Sequence, residues 1–75
     1  MLVSFKINSD VISQRVETIY INDSMNRVVL HYETNANVAV LMQLSFKYKL
    51  PFYKYANDGH IGITIPLESI FNIEY

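Results

Sequence analysis

Apolar residues recur at every second position along most of this chain, and the longest such run governs how the rest is read. From Asn37 to Leu50 the run NVAVLMQLSFKYKL puts Val38, Val40, Met42, Leu44, Phe46, Tyr48 and Leu50 on one parity. Asn37, Ala39, Leu41, Gln43, Ser45, Lys47 and Lys49 fill the other. A period of two marks one face of an extended strand, so the segment is expected to be the central strand of a sheet. A helix is the rival. Ala39, Leu41, Met42, Gln43 and Leu44 favour helix, Asn35 or Asn37 offers an N-cap, and Pro51 offers a stop. The buried face of that helix would be Val38, Leu41, Met42, Ser45, Phe46 and Lys49, which includes two polar residues, whereas the strand face has none.

Shorter runs flank it. Val3, Phe5 and Ile7 alternate with Leu2, Ser4 and Lys6 in a first strand, and Asn8-Ser9-Asp10 is a turn signal. Residues 14–21 and 27–33 read as a hairpin. Pairing Ile21 with Arg27 sets Tyr20 against Val28, Thr18 against Leu30 and Val16 against Tyr32. The opposite face then matches Glu17 with His31 and Arg15 with Glu33, charge pairs worth roughly 0.2–1 kcal/mol each. A three-residue loop, Thr34-Asn35-Ala36, would bring Tyr32, Leu30 and Val28 against Val38, Val40 and Met42.

A second hairpin centres on Asp58-Gly59, a favoured type I′ pair. Closing it at Asn57 and His60 pairs Ala56 with Ile61, Tyr55 with Gly62, Lys54 with Ile63, Tyr53 with Thr64 and Phe52 with Ile65. Pro51 and Pro66 then fall opposite each other, where both strands run out of hydrogen-bond donors. Leu67 to Ile70 reads as one 3₁₀ turn, and Phe71, Ile73 and Tyr75 as a last strand. The expected fold is all-β: a small antiparallel sheet or an SH3-like or OB-like barrel of about five to six strands, in a single domain spanning 1–75. The alternative is α+β with a helix at about 37–48.

Composition narrows the function. Charged residues are 17% of the chain and apolar residues 51%, so few charges cover a small surface, which favours a homodimer. The net charge of −1 supplies no global field for nucleic acid or anionic membrane. Without cysteine there is no disulfide and no thiolate zinc site. His31 and His60 are far apart in sequence, so no metal and no cofactor are expected. No run reaches the ~18 apolar residues of a membrane span, and the N-terminus lacks signal-peptide character, which suggests a cytoplasmic protein.

No nucleophile motif, glycine-rich phosphate loop or converging carboxylate pair occurs, so no enzymatic activity is expected. His31 reads as half of a structural surface pair with Glu17, and His60 as a residue flanking a turn. The patterned surface is FKYKLPFYKY, Phe46 to Tyr55. By parity Phe46, Tyr48 and Phe52 belong to the core, leaving Tyr53 and Tyr55 as exposed rings. Tyr53, Tyr55, Lys47, Lys49, Lys54 and His60 are therefore the candidate partner-binding residues. Exposed tyrosines suit a protein partner, in an adaptor or inhibitor role. Basic and aromatic residues sharing one surface would instead suit single-stranded nucleic acid. The orientation of the lysines discriminates the two.

Overall fold

A computed structural model describes residues 1–33, 37–54 and 60–75. They form seven strands, β1 (Leu2–Ile7), β2 (Asp10–Arg15), β3 (Thr18–Asn22), β4 (Arg27–Tyr32), β5 (Phe52–Lys54), β6 (Ile61–Pro66) and β7 (Ile70–Glu74), and a helix, α1 (Val38–Tyr48). The strands lie in two antiparallel sheets, ordered β2-β1-β7 and β3-β4-β6-β5. The described pairings leave these sheets separate. The mainly β character holds, but the architecture is α+β.

The main correction is at 38–48, which is the rival helix and not the central strand. Asn37 caps it: its side-chain oxygen accepts from the Val40 N–H at 3.3 Å. The far end is a Schellman stop. Lys49 takes a left-handed φ of 55°, the Leu50 N–H donates to the Ser45 carbonyl at 2.9 Å, and the Lys49 N–H to the Phe46 carbonyl at 3.4 Å. The Ser45 hydroxyl also donates to the Leu50 carbonyl. The inward stripe is Leu41, Leu44, Ser45 and Tyr48, spaced i, i+3, i+4 and i+7. Val38, Met42 and Phe46, assigned inward in either sequence reading, face out; Phe46 is 89% exposed.

Two hairpin registers also differ from expectation. The strand anticipated at 14–21 is broken at Val16-Glu17, where the chain leaves β2 in one sheet and enters β3 in the other. β3 then pairs with β4 one residue out from the expected register, as Asn22↔Arg27, Ile21↔Val28 and Ile19↔Leu30. Asn22 is the cause. It stays in the ladder while its side chain accepts from the Met25 N–H and the Ser24 hydroxyl, capping a 3₁₀ turn over Asp23–Met25. Asn26 closes the loop in a left-handed conformation. The loop therefore has four residues rather than five, and a one-residue change reverses the face of every β3 side chain. Tyr20 turns outward.

β5 pairs with β6 two residues out, as Phe52↔Ile63, Tyr53↔Gly62 and Lys54↔Ile61. An even shift preserves the faces, so Tyr53 still points away from the core. The prolines do not oppose each other: Pro66 pairs with Arg27, and the Pro51 carbonyl accepts from the Thr64 N–H at 3.0 Å. The Asp58-Gly59 turn, its Ala56 and Tyr55 pairs and the Thr34-Asn35-Ala36 loop lie outside the described residues.

Other expectations hold. Asn8 and Ser9 both have positive φ, 50° and 72°, in the two-residue turn joining β1 to β2. A 3₁₀ turn covers Leu67–Ser69. The last strand is present but differs in detail: β7 starts at Ile70, read as part of the turn, and a bulge breaks the expected Phe71-Ile73 alternation, so that Ile70 and Ile73 pack on the core while Phe71 faces out.

The core lies between the sheets. Val3 and Phe5 from β1 meet Val28, Leu30 and Tyr32 from β4 and Ile61, Ile63 and Ile65 from β6, with Val16, Leu41 and Leu50 completing it. α1 is tied to the β1–β2 turn by the Tyr48 hydroxyl, which donates to Asp10 Oδ2 at 2.7 Å.

Tyr32 carries the core's buried hydroxyl, which has no hydrogen-bond partner among the described residues. Burial pushes its phenol above the ordinary value of 10.0. The folded state thus keeps a proton that the unfolded chain loses. Its contribution is complete below the ordinary value and declines as pH rises past it. Tyr32→Phe is expected to leave stability at neutral pH equal or higher and to reduce the loss at ~pH 11. Thermal melts of both proteins at the two pH values test this.

Candidate protein-binding face

Strand parity builds a continuous outer face on the four-stranded sheet. Across the strands run three rows: Thr18, His31, Gly62 and Tyr53; then Tyr20, Val29 and Thr64; then Asn22, Arg27 and Pro66. Tyr53 lies across from Gly62, the position anticipated for Tyr55. A glycine beneath a ring leaves the sheet locally bare of side chain, and a cross-strand aromatic covers it. Tyr53 is 48% exposed and Tyr20 54%. Met25 is exposed at the margin.

Beside Tyr53 a cavity of about 230 Å³ is lined by Asn22, Met25, Arg27, Val29, Tyr53 and Thr64. Arg27 reaches across β6, and its Nη2 donates to the Thr64 carbonyl at 2.9 Å. The reason lies in Pro51. Thr64 donates its N–H to the Pro51 carbonyl, but proline has no N–H to return, and the arginine supplies that missing donor.

His60 is half-buried, with its Nε2 2.9 Å from Glu17 Oε2. Its ring centre lies 4.6 Å from that of His31, which meets Tyr20 edge-on at 5.6 Å. The expected Glu17–His31 side-chain pair is therefore replaced: His31 receives the Glu17 N–H on its backbone carbonyl, and His60 takes the carboxylate. The pair is surface-exposed and contributes little stability.

The lysines lie elsewhere. Lys47 is in the last turn of α1, its Nζ 5.2 Å from the centre of the Tyr48 ring, and Lys49 forms the helix stop. Lys54 has the parity opposite to Tyr53. The candidate residues thus divide into Tyr53 with His60 near the outer sheet face and Lys47 with Lys49 at the helix end. Tyr55 lies outside the described residues. Sequence reasoning missed Tyr20, Met25, Arg27 and Val29. Tyr20 joins that face only in the true β3–β4 register, although the donor lost at Pro51 was visible as a residue type.

Among the described residues no three His, Asp or Glu side chains converge as metal ligands, and no helix is long and apolar enough to cross a membrane. No protein-family model, no curated protein and no solved structure matches the chain.

Proposed function

We propose that this chain is a non-enzymatic protein-binding module, an adaptor or inhibitor, that engages its partner through the outer face of β3-β4-β6-β5. The observation that carries this reading is Tyr53 standing across from Gly62 with Tyr20 on the same face. Two rigid rings on one face, with Tyr53 beside a shallow depression, give much contact area for little lost side-chain freedom. Placement of Lys47, Lys49 and Lys54 away from that face weighs against single-stranded nucleic acid, which needs bases and phosphates gripped by one surface. The small antiparallel sheets and the 3₁₀ turn before the last strand are in keeping with an SH3-like or OB-like architecture. A cysteine-free chain suits a reducing compartment, and the reading places the module in the cytoplasm. The test is capture from a lysate of the native host with wild type, Tyr20→Ala/Tyr53→Ala and Phe71→Ala. A protein held by wild type and Phe71→Ala but lost by the tyrosine variant supports the face; equal retention by all three removes it.

The reading includes self-association, supported by a different surface. Val38, Met42 and Phe46 form an exposed apolar stripe on α1, and Met42 and Phe46 join Phe52 in lining a cavity of about 220 Å³. Two copies meeting through this stripe would cover Phe46. Sedimentation equilibrium at tens of micromolar should give a mass near twice 8.7 kDa, and Phe46→Asp should return it to the monomer. A wild-type chain that stays monomeric to millimolar concentration contradicts the dimer.

A further inference from the structure

We infer that the cavity beside Tyr53 receives a carboxylate of the protein partner, an Asp or Glu side chain gripped by Arg27. This rests on the proposed protein-binding face and names the chemistry it selects. A guanidinium has five N–H donors in a planar fork. One of those of Arg27 is committed to the Thr64 carbonyl, which holds the side chain across β6 at the cavity wall. Among the described residues no carboxylate oxygen lies within 4.0 Å of the guanidinium, so the fork keeps donors for an incoming acid.

The rest of the wall selects within the anions. Met25, Val29 and Tyr53 are apolar or aromatic, and Arg27 is the single cation among the described residues of the wall. One fixed guanidinium matches a monoanionic carboxylate in a two-pronged hydrogen bond. A phosphate group would call for further cations, and Lys47, Lys49 and Lys54 are at the helix end or on the other parity of β5. At about 230 Å³ the cavity is below the ~300–1,000 Å³ of ordinary small-molecule sites and has room for one side chain. Thr64, 7% exposed, adds a buried hydroxyl that makes no hydrogen bond among the described residues.

The experiment has two arms. In the first, ¹⁵N-labelled protein is titrated with benzoate, a carboxylate with an apolar flank, and in parallel with its neutral counterpart benzamide. Benzoate should saturably shift the Arg27 Nε–H signal and the amides of Tyr53 and Thr64 with a millimolar dissociation constant. Benzamide should shift them tenfold more weakly, and Arg27→Gln should abolish the effect. In the second arm, the captured partner is titrated against wild type, Arg27→Lys, Arg27→Gln and Tyr53→Ala. Both arginine variants should bind tenfold or more weakly, because Arg27→Lys keeps the charge and loses the fork. Loss of binding with Tyr53→Ala but not with either arginine variant leaves the face standing and overturns the carboxylate. Unchanged binding with Tyr53→Ala overturns the face itself. Equal response to benzoate and benzamide, or the same signals shifting with oligo-dT and not with benzoate, overturns the inference. Should Arg27→Gln fail to fold in thermal melts, the wild-type titrations and Arg27→Lys decide.

Discussion

Phe5→Ala is expected to unfold the domain at room temperature. Phe5 is among the largest fully buried side chains, 0% exposed, and it joins the three-stranded sheet to the β4–β6 core. Removing a buried phenylalanine costs about 3–5 kcal/mol, as lost transfer energy plus the cavity left behind. A chain of this length has a margin of roughly 3–5 kcal/mol, and with no cysteine it has no disulfide to add. The two quantities are equal in size, so this one substitution is enough. Phe71→Ala is the control. The bulge turns Phe71 outward, and its loss should change stability by under ~0.5 kcal/mol. Circular dichroism and urea melts distinguish them. A folded Phe5→Ala with an unaltered urea slope would mean that the sheets do not pack through this residue.

The second large effect is on binding. Tyr20→Ala with Tyr53→Ala should weaken partner binding by roughly thirty-fold or more, since truncating a ring at the centre of an interface costs ~2 kcal/mol. Stability should fall only modestly, because both rings lie outside the core. The main structural loss is the cover that Tyr53 gives Gly62. Titration of both proteins against the captured partner, with melts alongside, checks it. A collapsed melt would place the rings in the core.

How much of this was legible depends on whether local or long-range contacts decide. The turn at Asn8-Ser9, the 3₁₀ turn after Pro66 and the outward face of Tyr53 follow from residue type and parity within a few positions, and each was readable. The helix was harder. Its exposed residues, Val38, Val40, Met42 and Phe46, are themselves apolar and share one parity, so they imitate a buried strand face. What overrides the imitation is the local end chemistry, Asn37 at one end and Leu50-Pro51 at the other. The β3–β4 register turned on whether Asn22 belongs to the strand or to the loop. It belongs to both, and charge matching between Glu17 and His31 gave the wrong answer because such pairs are weak. Arg27 was invisible as a site residue because its position depends on a donor missing 24 residues away, at Pro51.

Cross-saturation NMR on the complex tests the central claim most directly. The chain is deuterated and ¹⁵N-labelled, the unlabelled partner is irradiated, and the attenuated amides mark the contact surface. Attenuation centred on Tyr20, Val29, Gly62, Thr64 and Tyr53 is the predicted result. Attenuation confined to α1, at Val38, Met42, Phe46 and Lys47, would contradict it and move the partner to the helix.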